Sequence, residues 1–508
     1  MDQNRANLGL SALIGALILL VPMAVNGGPF LYFDTAGYLS RAGKFMTEVL
    51  GQLWLSDEVN PVVEPAPLVG ESAADASSDE GASAPIVSGR SIYFGIPAWL
   101  AYKLVGLWSI AAIQALIAAM LIHRLMYHTL GAVSLPGFAI ATILVSLVST
   151  AGVFVGLIMP DIWIGFAAIA VALLIHKWPE TGLGERILLL CVVLAATTFH
   201  KSHVLIVLGA VSASAVVYGL RLLGASTLSR TGAVSCLVVA ALSLSAFAGF
   251  NWAIGKATGE KSISRPFLSG HLIAAGPGLA FLDDVCASRG ETITYELCRY
   301  RDRLPIEWRA FLFDTGADTG VFAIAPPVSQ RAISAQDTSF AIDVFLYDPL
   351  SVTWIIVRDS IAQVGLFRFQ PVPLSEKAAN YIERSFPSDI VDDVKHSRVF
   401  QEHSELRFLD SASYMSASVS IWVLLLSLGY VYFGGALVGK EWAIVATLLA
   451  FVLVNAAVCG GIASPYDRFQ SRIVWLVPLA AFLAAALALR SRRAGQTELE
   501  LSKKVGFL

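Results

Sequence analysis

Charge is what this chain has least of. Asp, Glu, Lys and Arg make up 14% of its 508 residues, against roughly 25% in a soluble protein, and the mean hydropathy is +0.68. That balance argues against an ordinary soluble domain and makes a polytopic membrane protein the default. A basic surplus is missing too: the formal net charge is −3, so electrostatics gives no reason to expect nucleic acid as a partner. Cysteine is sparse, with five residues, and their spacing offers no zinc site. Cys191, Cys236 and Cys459 fall in apolar runs, where a thiol packs as a small hydrophobe. Cys286 and Cys298 fall in a polar segment, where they either stay free or pair in an oxidising compartment. There is no solenoid-type repeat. No small-residue cleavage site follows the first apolar run before Gly27-Gly28-Pro29-Phe30, so that run is expected to be retained as a helix.

Long hydrophobic runs, by contrast, are plentiful. They fall at 9–26, 107–123, 135–157, 162–176, 187–199, 203–221, 231–252, 415–437, 441–462 and 471–490. We read these as ten spans in an all-α polytopic protein, although 162–176 and 187–199 are short against the roughly 20 residues a spanning helix needs. The apolar stretch Ser91–Val105 contains Pro97 and Lys103 and reads as a re-entrant or interfacial helix. Arg124, Lys177, Arg186, Arg221, Arg230, Lys440 and the tail Arg490-Ser491-Arg492-Arg493 occupy alternate connections. By the positive-inside rule this places both termini in the cytoplasm.

Two large segments then face outward. The first, 27–106, holds the acidic stretch Asp57–Ser83, rich in Ala, Ser and Pro, which reads as disordered. Before it, Tyr38, Ala42, Phe45, Met46, Val49, Leu50 and Leu53 recur at helical spacing, predicting an amphipathic surface helix over 35–54. The second, 253–411, is long enough for a small extracytoplasmic domain. The division is thus a seven-span core over 1–252, the domain 253–411, three spans over 412–490 and a cytoplasmic tail 491–508.

Ionisable residues gather at the outward ends. Asp34, beside Phe30, Tyr32 and Phe33, is either a general base with a pKa raised by desolvation or a helix cap. Asp161, after Met159-Pro160, is a substrate-positioning carboxylate or again a cap. His200, Lys201 and His203 sit in a tight connection at the membrane edge, where cationic groups are costly unless they meet water, an anion or a carboxylate. Phosphate is the candidate ligand, and snorkelling of Lys201 is the alternative. Arg468 and Arg472 carry planar forks suited to phosphate oxygens, with an Asp467–Arg468 ion pair as the alternative.

This pattern resembles the GT-C superfamily of membrane glycosyltransferases, in its protein mannosyltransferase and aminoarabinose transferase branch. Members carry an acidic residue just after the first span and then a surface helix, as Asp34 and 35–54 do here. An Arg/Pro/Tyr-rich entry to the second span resembles Gly89-Arg90-Ser91-Ile92-Tyr93-Phe94-Gly95-Ile96-Pro97, which adds Arg90 and Tyr93 to the candidate substrate-binding residues. Seven spans before a large outer insertion, and a late Arg-Phe pair entering a Pro-containing span (Arg468-Phe469 and Pro478), complete the likeness. Many members have two neighbouring acidic residues where this chain has Asp34 and Thr35.

The resemblance implies a polyprenyl-phosphate sugar donor drawn from the membrane lipid, an extracytoplasmic acceptor of unspecified kind, and Asp34 as catalytic base. No cofactor is expected, and the metal dependence is left open. It also implies a place in the bacterial cytoplasmic membrane. The alternatives are a transporter or flippase of lipid-linked sugar and a non-catalytic membrane scaffold.

Overall fold

A computed structural model describes residues 2–50, 87, 89–219, 228–259, 261–287, 295–316, 320–368, 383, 386, 388–401, 404–433 and 440–505. The acidic stretch Asp57–Ser83 and the last residues of the expected surface helix lie outside the described residues. The described chain is all-helical, without a β-strand; two isolated bridges, Phe30 with Leu157 and Val87 with Ile263, are its β-type pairings.

The first half contains α1 (Asp2–Asn26), α2 (Phe33–Leu50), α3 (Ile92–Val105), α4 (Leu107–Leu130), α5 (Leu135–Leu147), α6 (Ala151–Gly156), α7 (Trp163–Lys177), α8 (Leu183–Phe199), α9 (Lys201–Gly219) and α10 (Arg230–Thr258). Local chemistry sets several ends. The hydroxyls of Ser91, Ser134 and Ser229 accept from the backbone N–H groups of Tyr93, Gly137 and Gly232, capping α3, α5 and α10. Gly131 and Gly259 end α4 and α10 with φ of 73° at each, in the left-handed region that glycine adopts without a Cβ clash.

Among the described residues, eight helices are long and apolar enough to cross a membrane: Leu8–Asn26, Leu107–Leu130, Pro160–Glu180, Lys201–Gly219, Arg230–Thr258, Phe408–Phe433, Trp442–Ala463 and Arg468–Ser491. Two of the ten expected spans fall short. The run 135–157 breaks into α5, of 13 residues, and α6, of six. The break falls where Thr150 donates to the carbonyl of Ser471 at 2.6 Å. The run 187–199 becomes α8, which has 17 residues. The stretch Ser91–Val105 is the short apolar helix α3, as its Pro and Lys imply.

α7 forms the centre. Its residues from Trp163 to Leu174 are all buried, and it packs against α4, α8, α10 and the helix Trp442–Val458. A helix apolar all round belongs inside a bundle, and Asp161 at its entrance is therefore at the bundle's axis. At the far end of α7, Lys177 pairs with Glu180 and Glu441, and Lys440 with Glu180. Arg124 and His128, in the last turns of α4, pair with Glu185 in the first turn of α8.

Within the expected domain 253–411 the buried apolar residues divide between two cores. A separate core unites Leu282, Phe311, Phe340 and Val344 within 263–352, whereas Phe367, Phe386, Ile390, Val391 and Val399 join the main bundle core. α10 also runs past 252, and the helix Ser404–Phe433 begins before 411. The insert contains α11 (Phe267–Ala275), α12 (Pro277–Ala287), α13 (Trp308–Phe313), α14 (Pro327–Tyr347) and α15 (Pro349–Val364). α14 and α15 meet at 112°, because Pro349 starts the second helix under a cap in which Asp348 accepts from Ser351 N. Cys286 and Cys298 are joined in a disulfide.

Candidate active site

Two loops are laced together to bring the carboxylates to one end of the bundle. After α1 the chain turns at Gly27, whose φ is 87°, and then runs extended beside 156–158. Phe30 N donates to Gly156 O at 2.9 Å and Ile158 N to Phe30 O at 3.0 Å. The Thr35 hydroxyl adds a third bond, to Ile158 O at 3.1 Å. The approach requires glycine at 156, where a Cβ would lie 2.9 Å from that of Met23. Gln114, from within α4, donates to Val155 O and Leu157 O at 2.9 and 3.2 Å and accepts from the Trp163 indole at 3.1 Å. This lacing sets Asp34, on the first turn of α2, beside Asp161, in the 3-10 turn Pro160–Ile162.

Arg468 joins them. Its Nε and Nη2 grip Asp161 at 3.1 and 2.8 Å, and its Nη1 lies 3.5 Å from Asp34 Oδ2. Arg90, just before α3, donates to the other oxygen of Asp34. Arg472 stands one helical turn beyond Arg468, with Nη1 4.0 Å from Asp161 and Nη2 on Ser202 Oγ and Asn455 Oδ1 at 3.3 and 3.1 Å. The Tyr32 ring lies 4.2 Å from the Arg468 guanidinium, and the Tyr32 and Tyr466 hydroxyls are 3.3 Å apart. Side-chain exposure rises from 1% at Asp161 and Arg472, through 10% at Arg468 and 13% at Arg90, to 27% at Asp34. Asp34 is thus the more exposed of the two carboxylates.

Burial alone raises the Asp34 carboxyl pKa, but the charges of Arg90 and Arg468 outweigh it and hold the value at about 2. This reverses the elevated pKa expected from its aromatic neighbours. A carboxyl with a depressed folded-state pKa contributes stability above its ordinary value near 3.9 and loses that contribution as pH falls through about 2. Thermal unfolding at stepped pH between 5 and 2 is therefore expected to show a steeper acid loss for the wild type than for Asp34→Asn. Equal slopes would contradict the pairing.

The structure brings Asp34, Asp161, Arg90, Arg468 and Arg472 into one charge network. His200 borders it, but burial and then Arg472 push its pKa down to about 4, so at neutral pH it adds no positive charge. His203 is fully buried, its Nδ1 2.8 Å from Ala196 O. It ties α9 to α8, and its ring lies 5.0 Å from that of His200. Lys201 and Tyr93 belong to a neighbouring aromatic cluster. The Lys201 ammonium lies 5.9 Å from the Phe247 ring. The Tyr93 ring packs against Phe247 and Phe250, and its hydroxyl donates to Ala246 O. Asp467 is not the partner of Arg468; its carboxylate accepts from Arg368 N at 3.0 Å.

Sequence reasoning missed Tyr32, Tyr466, Gln114 and Arg265. The charge of Arg265 also lowers the Asp34 pKa. Gln114 carried a usable signal, an amide inside an apolar run, since polar groups within spans are expensive and usually functional.

Comparison of the chain with protein-family models, with curated proteins and with solved structures finds no match in any of the three.

Proposed function

We propose that this protein is an integral-membrane glycosyltransferase, moving a sugar from a polyprenyl-phosphate donor to an acceptor hydroxyl on the extracytoplasmic side of a bacterial cytoplasmic membrane. The observation that carries the reading is the charge network. Three guanidiniums, those of Arg90, Arg468 and Arg472, surround two carboxylates, those of Asp34 and Asp161, at one end of an apolar bundle. The surplus of positive charge fits an anionic lipid headgroup, and the more exposed carboxylate, Asp34, fits a base. The basic connections support that side: their Arg124, Lys177 and Lys440 pair off away from this network.

In the reaction, Asp34 takes the proton of the acceptor hydroxyl as the acceptor oxygen bonds to the anomeric carbon. The bond from that carbon to the phosphate oxygen breaks, and its electron pair leaves on the polyprenyl phosphate. Arg468 and Arg90 stabilise that developing charge. A carboxylate held near pKa 2 by two arginines is a weak base. Donor phosphate, by drawing the guanidiniums onto itself, raises the basicity of Asp34 when it is needed. Binding and activation are thereby coupled. A transporter would place such groups near the bilayer midplane between matched halves, whereas these lie at helix ends.

The reading is tested with purified protein in nanodiscs. We expect undecaprenyl phosphate to bind saturably, and polyprenyl-phosphate sugars to release free polyprenyl phosphate in the presence of an acceptor extract. Absence of undecaprenyl phosphate binding would overturn the site, and binding without turnover of any donor would favour transport.

A further inference from the structure

Arg468 owes its position to a short connection, 464–467, between the π-helical turn Cys459–Ala463 and the four-residue helix that Arg468 begins. Four residues with no regular hydrogen-bonding would not by themselves hold a guanidinium in place. The insert grips them at three points. The Gln363 amide clamps Tyr466 from both sides, accepting from its N–H at 2.8 Å and donating to its carbonyl at 3.0 Å. His271 Nδ1 lies 2.6 Å from the Ser464 hydroxyl, and His271 Nε2 lies 3.6 Å from Asp359. Just past α15, the backbone N–H of Arg368 donates to Asp467, and its carbonyl accepts from the Ser471 hydroxyl at 2.9 Å.

The packing beneath this clamp is as specific. Ile356, Asp359, Ser360 and Gln363 recur at three- and four-residue steps, so they form one face of α15. That face lies on Gly460 and Gly461 of the π-helical turn. A Cβ at Gly460 would come within 2.5 Å of the Gln363 side chain and 2.6 Å of Asp359 O; at Gly461 it would be 2.7 Å from Ser360 Oγ. Ser464 has φ of 117°, the one positive-φ non-glycine among the described residues. A residue keeps such a backbone when its surroundings over-determine it, and here the His271 contact supplies the restraint. Ser464, His271 and Asp359 stand in the hydroxyl–imidazole–carboxylate order of an acyl-transfer relay. Their exposures of 3%, 4% and 6% leave no access for a substrate, so the order serves to fix a backbone.

We propose that Gln363, with His271 and Asp359, is a positioning residue of the insert that sets the Arg468 guanidinium against Asp34 and Asp161. The insert thereby becomes part of the anion site without touching the anion. This rests on the reading of Arg468 as a phosphate ligand.

The test uses the full-length protein in nanodiscs, with undecaprenyl phosphate as the probe. In Gln363→Ala, hydrogen exchange at 464–469 is expected to rise while α7 stays unchanged, and undecaprenyl phosphate affinity to fall about tenfold. A displacement near 1 Å can cost up to about 100-fold in function. Gln363→Glu keeps an acceptor for Tyr466 N–H but loses the donor to Tyr466 O, and is expected to show the same local loosening. A double-variant cycle separates positioning from general stability. If Gln363 acts through Arg468, Gln363→Ala adds no further loss of affinity in an Arg468→Lys background. Additive losses, or exchange that rises throughout the bundle, would make Gln363 a merely structural contact. Unchanged exchange at 464–469 overturns the proposal whether or not the wild type binds the lipid, and failure of the wild type to bind overturns the phosphate reading separately.

Discussion

Asp34→Asn is expected to lower sugar transfer by about 100- to 10,000-fold, the cost of losing a general base, while undecaprenyl phosphate affinity is kept or increased. The two directions come from the same ion pairs. Asparagine keeps the size of aspartate but takes up no proton near neutral pH, so the acceptor hydroxyl is no longer activated. The carboxylate pairs with Arg90 and Arg468, so on the proposed reading it competes with donor phosphate for them, and the uncharged amide would release both guanidiniums. A helix-capping role predicts turnover per folded molecule unchanged; a fall in melting temperature is expected of either role, because the pairs with Arg90 and Arg468 are lost in both. Measuring turnover, lipid affinity and melting temperature on one preparation separates the two. Near-normal turnover in Asp34→Asn would remove Asp34 from the chemistry.

Arg468→Lys is expected to reduce both turnover and undecaprenyl phosphate affinity, and by much more than Lys201→Arg. Arg468 grips Asp161 through two nitrogens while a third reaches toward Asp34. An ammonium is a single point charge and cannot reproduce that fork. Asp161, 1% exposed, would then be buried with an incomplete partner. Breaking a buried pair outright costs about 3–5 kcal/mol, and the shorter lysine loses part of that. Lys201 stands by Phe247 outside the carboxylate fork, so arginine there retains the charge and the ring contact. Equal losses at the two positions would make the cations interchangeable neutralisers, and an unaffected Arg468→Lys would make its pair with Asp161 structural.

How far the site could be read from sequence depended on the kind of residue. Asp34, Asp161, Arg90, Arg468 and Arg472 are charges at the ends of apolar runs, and such charges are conspicuous because lipid does not tolerate them without a partner. The histidines were visible in the same way, but their contacts were not: His203 is buried, with Nδ1 2.8 Å from Ala196 O. Gln363, His271 and Ser464 gave no warning at all. An amide, an imidazole and a hydroxyl in a mixed segment look like solvated surface until packing shows them closed around a loop. Hydropathy also gave no sign that the run 135–157 is broken at its centre into α5 and α6.

Hydropathy and charge placement, by themselves, determined the all-helical membrane class and the helices that carry it. Burial of long apolar runs and exclusion of charge from lipid act locally along the chain, on every residue in turn. Pairing was decided only in the tertiary structure. Arg468 lies between Asp161, 307 positions away in sequence, and Asp34, 434 away, with Asp467 beside it as the nearer choice. The reason is geometric. The bonds among Phe30, Gly156 and Ile158 join the two carboxylate loops, while the insert turns Asp467 toward Arg368. Ion-pair energy depends on distance and burial, and both are properties of the packed bundle.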